Sequence, residues 1–329
     1  MSRAQHPHQR GAALLMAMLT VALVATLSTA ALWHQWRALA VERAERARVQ
    51  ASWVLGGALD WARLILREDQ NANRNEPADH LGEPWALPLA EARLSSFLAA
   101  DRNQNADNTL EAFLSGEITD QQGRLNLYNL VQTSDGKAIP SAADVTAFER
   151  LFQQLGLSPG ELALCLMRLQ AALDQTPAGR QRPGAPLLPS RWSQLGWLGL
   201  SAPTLRALAP HATWLPQRTA LNLNTASAEA LFAALPGTDM ALARQLVVQR
   251  ATAHFPTVAD VKRRFPQLEE ALAASDRFQT TSRFFEVRGR LRLDDTVVEE
   301  VSLVDRGGSG GQDIQTLWRE RRRPGGSLQ

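Results

Sequence analysis

Cysteine is almost missing from this chain: Cys165 is the single copy among 329 residues. No intramolecular disulfide can form, even in an oxidising compartment, so packing and hydrogen bonds must hold the fold. A charge imbalance is missing too. Lys and Arg number 35 against 33 Asp and Glu, a formal net charge of +2, which gives no global pull toward nucleic acid. Catalytic spacings are also lacking. There is no Gly-x-Ser-x-Gly elbow and no phosphate loop, and His6, His8, His34, His80, His211 and His254 fit no zinc spacing. Cys165 lies in Leu164-Cys165-Leu166-Met167, where it reads as a small core residue rather than a reactive thiol.

One more absence is the most informative. Residues 12–32, just after Gly11, carry no charge, and their polar side chains are Thr20, Thr26, Ser28 and Thr29, hydroxyls that can bond back inside a helix. At 1.5 Å per residue such a helix spans roughly 30 Å, the thickness of a bilayer core. The leader ahead of it holds Arg3, Arg10, His6 and His8, which puts the leader on the cytoplasmic side and the bulk of the chain across the membrane. A cleaved secretory signal would show a shorter apolar core, a small-residue cleavage site and then a loop. Here the helical pattern continues. Trp36, Leu39, Ala40, Ala44, Ala47, Trp53, Val54, Ala58 and Trp61 recur at helical spacing, and Arg37, Glu42, Arg43, Glu45, Arg46 and Arg48 fill the other face. Glu42 and Arg46 form an i,i+4 pair of favourable orientation. The spacing predicts one helix from residue 12 to about 66, apolar at first and amphipathic afterwards, with a soft point at Gly56-Gly57.

Beyond it, residues 67–79 read as a polar linker. Asp120 to Gly123 supplies turn chemistry, followed by a strand with Leu125 and Leu127. Its partners come much later. Phe285, Val287, Leu291 and Leu293 alternate in one run, Asp294-Asp295 makes a turn, and Val297, Val301 and Leu303 are expected inward on the returning strand. Residues 136–276 read as entirely helical, with three helix–turn–helix signals. Ser158, Pro159 and Glu161 predict a capping box, and Ser201 predicts a second cap. The third signal spans 221–246. Residues 306–329, rich in Gly and Arg, are expected to be disordered. Residues 101–111 place oxygens at Asp101, Asn103, Asn105 and Asp107, but Ala106 stands where a calcium loop needs Gly, so a solvated loop is expected.

Residues 9–32 closely resemble the start of the general secretion pathway protein K family, minor pseudopilins of bacterial type II secretion. Three further segments carry the resemblance. Glu83-Pro84-Trp85-Ala86 matches the family's Glu-x-Trp-Ala. Residues 118–130 match Ile-x-Asp-x-x-Gly-Arg-x-Asn-x-Asn-x-Leu, with Tyr128 replacing the second Asn. Asn222-Leu223-Asn224-Thr225-Ala226 matches the marker of the helical domain.

The resemblance implies an α+β fold: a long N-terminal transmembrane and stem helix packed on a small antiparallel pilin-like sheet, with a large inserted all-α domain of helix-hairpin-helix-like units. The implied division is a prepilin leader 1–11, the helix 12–70, the first pilin-like half 71–135, the insertion 136–276, a β-hairpin 277–305 and the tail 306–329. It implies that prepilin peptidase cuts after Gly11 and methylates Ala12. Leu14, Leu15, Met16, Leu19, Leu23 and Leu27 then pack against the equivalent helices of other subunits. The implied partners are the I- and J-type minor pseudopilins, the major pseudopilin and the peptidase, with secreted cargo or the outer-membrane secretin as further contacts and no nucleic acid. The implied place is the inner membrane, single-pass, with the bulk in the periplasm. Met16 stands where major pilins carry Glu, as in the tip-located K type; a carboxylate in hydrocarbon needs a partner, and a tip subunit has none above it. No catalytic residue, cofactor or metal is expected. Some family members hold calcium through an Asp-Trp-x-Asp segment, but the matching stretch here, 169–174, lacks the Trp and the later acids.

Two alternatives remain open on these residues. A pilin-like DNA-uptake component would bind DNA through Gly237–Arg244, although Asp239 stands where a hairpin that holds phosphate needs Gly. A single-span periplasmic enzyme would keep residues 1–10 uncut.

Overall fold

The computed structural model describes residues 10–72, 77–94, 112–180, 184, 186–273, 276–293, 296–307 and 314–322. The chain divides into two compact units, Met1–Val54 and Leu55–Gln329.

The first unit is the leading part of helix α1 (Arg10–Ala72). The hydroxyls of Thr20, Thr26 and Thr29 donate to the carbonyls of Ala17, Leu23 and Ala25, so no side-chain polarity in these residues needs water. Arg46 and Arg48 pair with Glu42 and Glu45, each at 2.5 Å. The helix runs unbroken through Gly56-Gly57.

In the second unit, α1 lays Leu55, Leu59, Ala62 and Leu66 onto a five-stranded antiparallel sheet. The sheet consists of β1 (Leu89–Arg93), β2 (Ala112–Asp120), β9 (Phe284–Leu293), β10 (Thr296–Asp305) and β11 (Gln315–Arg322), in that spatial order. Trp85, Phe285, Val287, Val304 and Ile314 complete the core under the helix, and Trp85 meets Phe285 edge-on at 5.1 Å.

The register corrects one expectation. Phe285 pairs with Val304 and Glu286 with Leu303. Side chains alternate along a strand, so Val297, Val301 and Leu303 share the face opposite Phe285 and Val287. Leu303 packs there with Phe284 and with Leu215 from the helical insertion. The sheet buries apolar residues on both faces, so alternation alone could not assign the sides.

The predicted disordered tail is a second correction. Residues 315–322 form β11, paired with β10 from Glu299↔Arg322 to Asp305↔Gln315. Composition hid the strand because its alternation is made of charges. Arg319 and Arg321 both pair with buried Glu300, while Trp318 lies against the Leu303 cluster.

The helical insertion contains α2 (Ala142–Gln154), α3 (Pro159–Leu173), α4 (Pro177–Arg180), α5 (Ala202–Leu208), α6 (Ala228–Ala234), α7 (Met240–Thr252) and α8 (Val258–Arg264). Phe148, Leu151, Phe152, Leu169, Phe255 and Phe265 fill its core, as does Cys165, whose thiol is pushed up to about 12 by burial. The insertion is not purely helical. β5 (Lys137–Pro140) folds back on β4 (Val131–Ser134), and two short parallel pairs join β3 (Leu125–Asn126) to β6 (Ala212–Thr213) and β7 (Leu221–Asn222) to β8 (Phe278–Gln279). The capping box at Ser158 does not form. Glu161 instead accepts from the backbone and hydroxyl of Ser201, 40 residues on, because that bond ties α3 to the start of α5. Ser201 does cap α5. The leader residues 1–9, the loop 101–111 and the turn Asp294-Asp295 lie outside the described residues.

Candidate functional site

The leading part of α1 presents its apolar side chains uncovered. Leu14, Leu15, Met16, Leu19, Leu23 and Leu27 are all exposed, Met16 by 67%. Gly11 and Ala12 lie in the first turn of the helix. Among the described residues this is the one helix long and apolar enough to cross a membrane. Trp33 and Trp36 follow the apolar run, both exposed and three residues apart, next to Arg37. Indole rings at the end of such a run suit the membrane–water boundary, where one edge is apolar and the other wet. An apolar surface of this kind has no place in water and marks an anchor or an assembly face.

The C-terminal end of α1 is clasped. Arg306 donates to Asp69 at 2.9 Å, to Asp79 at 2.5 and 2.6 Å and to the carbonyl of Ser282. Asp69 and Asp79 belong to the stretch read as a polar linker, yet both are buried with Arg306 between them. Glu83, from the Glu-x-Trp-Ala segment, accepts from the His80 amide and from the Trp85 indole at 2.7 Å. Asp69, Asp79 and Glu83 each bring a carboxylate oxygen within 4.8 Å of the others. Burial, followed by the charge of Glu83, pushes the Asp69 carboxyl up to about 7. A hydrogen bond to Glu83 adds to that rise. The guanidinium already stands among these oxygens, so the donor set suits an ion-pair clasp rather than a calcium ion, which takes six to eight free oxygens. Asp174, at the end of the stretch compared with the calcium segment, accepts from the backbone and hydroxyl of Thr176 and closes a local turn.

A second polar cluster joins the sheet to the insertion. Asp120 is fully buried and accepts from the Gln122 amide, Asn222, Thr225 and Ser282 at 2.5–3.1 Å. Burial raises its pKa, and the hydrogen bonds oppose that rise. Asn222 also donates to the carbonyl of Asp79. Asn224 exchanges two bonds with the backbone of Phe255, and Asn129 does the same with Thr219. Gly123 permits the approach: a Cβ there would sit 2.8 Å from the Thr225 hydroxyl.

These contacts give Asn-x-Asn-Thr-Ala an internal role. The DNA-binding alternative finds no support in the same region. Asp239 caps α7 with its own carboxylate, accepting from the Leu242 amide, so the helix N-terminus that would meet a phosphate already holds an anion. The clasp residues Asp69, Asp79 and Arg306 were not singled out in the sequence. The first two sit in polar runs and the third opens the Gly- and Arg-rich tail. Glu83 had a signal, its place beside Trp85.

Comparison with known proteins agrees with this geometry. A sequence profile of the family described as type II secretion system (T2SS), protein K, matches residues 221–281, the segment that holds Asn222, Asn224 and Phe255. The type II secretion system protein K of Pseudomonas aeruginosa is 30% identical over 92% of this chain and 90% of its own length. That of Klebsiella pneumoniae is 29% identical over 76% and 78%. Among solved structures, a chain of the GspK-GspI-GspJ complex from enterotoxigenic Escherichia coli superimposes with a TM-score of 0.62 at 20% identity, covering 85% of this chain and 99% of that one. The exposed apolar helix, the clasped stem on an antiparallel sheet and the relative matched over nearly its whole length lead to one conclusion: the chain belongs to the type II secretion system protein K family of minor pseudopilins.

Proposed function

We propose that this chain is the tip subunit of a type II secretion pseudopilus, held in the inner membrane by α1 with its bulk in the periplasm. The observation that carries this reading is the double use of α1. Its first part leaves Leu14, Leu15, Met16, Leu19, Leu23 and Leu27 uncovered, and from Leu55 on the same helix forms the layer over the sheet. In this reading prepilin peptidase removes residues 1–11 and methylates Ala12, and the uncovered leucines pack against the helices of I- and J-type subunits and of the major pseudopilin. The solved relative comes from a complex of GspK with GspI and GspJ, which supports that choice of partners. Met16 lacks the carboxylate that would seek an amine on a subunit above it, and the helical insertion adds bulk that opposes further stacking. The chain then initiates or caps the filament and can touch cargo or the secretin. Its work is structural rather than enzymatic, with no cofactor and no nucleic acid.

The test is the intact mass of the membrane-extracted protein from cells with and without prepilin peptidase. The expected result is loss of residues 1–11 plus one methyl group, only when the peptidase is present, and no processing of Gly11→Asp. An uncut chain in the presence of the peptidase would overturn the reading.

A further inference from the structure

Two histidines meet where the segment after the stem touches the helical insertion, within the second unit. His80 lies in the segment 77–83, and His254 lies between α7 and α8. Their rings stack with centroids 3.9 Å apart and planes 9° from parallel, and both residues are half-buried. The geometry fixes the protonation state of His80. Its Nδ1 accepts from the Gly82 amide at 3.1 Å, so the ring is neutral and its proton sits on Nε2. Gly82 permits this approach: a Cβ there would come within 3.1 Å of Nδ1 and 3.2 Å of Cε1. A proton added at Nδ1 would set two N–H groups against each other, break the bond and turn the ring. A turned ring no longer lies parallel to His254.

Charged groups reach this pair from several elements. Asp69 comes from α1, and Asp79 and Glu83 from the segment of His80 itself, where Glu83 accepts from the His80 amide. Arg306 bonds both Asp69 and Asp79. On the side of the insertion, Arg264 donates to the Ala253 carbonyl, and Asp260 is engaged with Thr257 and Arg263. Burial holds the His80 pKa below its ordinary 6.5, against the pull of Asp69 and Asp79. The Asp69 carboxyl, pushed up to about 7, is itself losing its charge over the acid range in which His80 would gain one.

We propose that the His80–His254 stack is a latch opened by acid: a proton taken up at Nδ1 of His80 releases the Gly82 amide and parts the segment 77–83 from residues 253–257. The opening is local. The Asp79 amide donates to the Thr280 carbonyl at 2.8 Å and Asn222 donates to the Asp79 carbonyl at 3.1 Å, bonds between groups that do not titrate, so the insertion stays attached while this corner loosens. A lowered pKa means that the folded chain binds fewer protons than the unfolded one. The latch therefore contributes fully above pH 6.5 and is lost as pH falls from there through the folded value. Asp69 runs the other way and has the larger shift, so global stability reads mainly Asp69 and the latch needs a local readout. The proposal does not depend on where the subunit sits in a filament.

Two measurements on the full chain in detergent test it. In an NMR titration with carbon-13 at the histidine Cε1, His80 is expected to titrate below 6.5, and the His254 resonance to shift at the same midpoint as the stack is lost. In hydrogen exchange read by mass spectrometry and corrected for intrinsic rates, amides in 79–85 and 253–257 should lose protection by about fivefold between pH 7.5 and 4.5, the worth of one hydrogen bond. His80→Asn keeps an acceptor for Gly82 but takes up no proton, so it should erase that loss. His254→Phe keeps a flat ring and leaves the trigger in place, so the loss should persist. If His80→Asn fails to fold, the histidine titration of the unaltered chain decides. Unchanged protection in acid, a His254 resonance indifferent to the His80 midpoint, a loss that survives in folded His80→Asn, or a loss that vanishes in His254→Phe would each overturn the proposal.

Discussion

The two faces of the five-stranded sheet solve different problems. On one, Leu59, Ala62 and Leu66 of α1 close over Trp85, Phe285, Val287 and Val304 in an apolar seam. On the other, a small cluster of Phe284, Leu303 and Leu215 sits beside a cavity of about 450 Å³, and bonds of Asp120 with Asn222 and Thr225 fix the insertion to the end of β2. The first contact is non-directional and tolerates small shifts. The polar tie at the end of β2 is directional and defines one docking geometry, because each bond depends on angle as well as distance. The stem is held by area and the insertion by register.

Substitutions should separate the two modes. The largest loss is expected from Phe285→Ala, about 3–5 kcal/mol, since its ring is wholly buried in the seam and a cavity would remain. Urea unfolding monitored by tryptophan fluorescence would read it, and a loss below about 1 kcal/mol would contradict the seam. Asn222→Ala should cost about 2–3 kcal/mol, because it strips a donor from buried Asp120. Its second signature should be earlier proteolysis between the insertion and the sheet. Leu303→Ala should cost about 2 kcal/mol, at the low end for a buried leucine, because the adjacent cavity leaves less packing to lose.

The smallest expected effect is on pH dependence. Asp69 has its folded pKa raised from 3.8 to about 7. Between those values the folded state binds more protons than the unfolded state, so this group's contribution to stability falls as pH rises and is fully lost above about 7. Melting temperatures at pH 5.5 and 8 should show the decline, and Asp69→Asn should flatten it. An equal slope in the variant would assign the dependence to another group.

Much of this fold was legible in the sequence because its signals are local. The uncharged run 12–32, the helical spacing that follows it and the turn at Asp120–Gly123 each depend on neighbours a few residues apart. What stayed hidden depends on distant partners. Leu303 looked like one more inward residue until its pairing with Glu286 put it on the second face. Arg306 and β11 read as tail because their compensating charges, Asp69, Asp79 and Glu300, lie far away in the chain. Glu161 looked like a cap for its own helix and serves Ser201 instead.

The strand order also dictates a timetable for biogenesis. β2 ends at Asp120, but its neighbour β9 begins only at Phe284, and the seam is closed last by Ile314 and β11. The helical core is complete once Phe278 has emerged, and its contacts are shorter in sequence, so it is the part able to fold first. Until residues 314–322 follow, Leu59 and Leu66 of the stem helix remain without their full cover. A nascent chain of this design passes through a stage with a folded head and a sticky neck, and that stage is where a chaperone or a protease would find it.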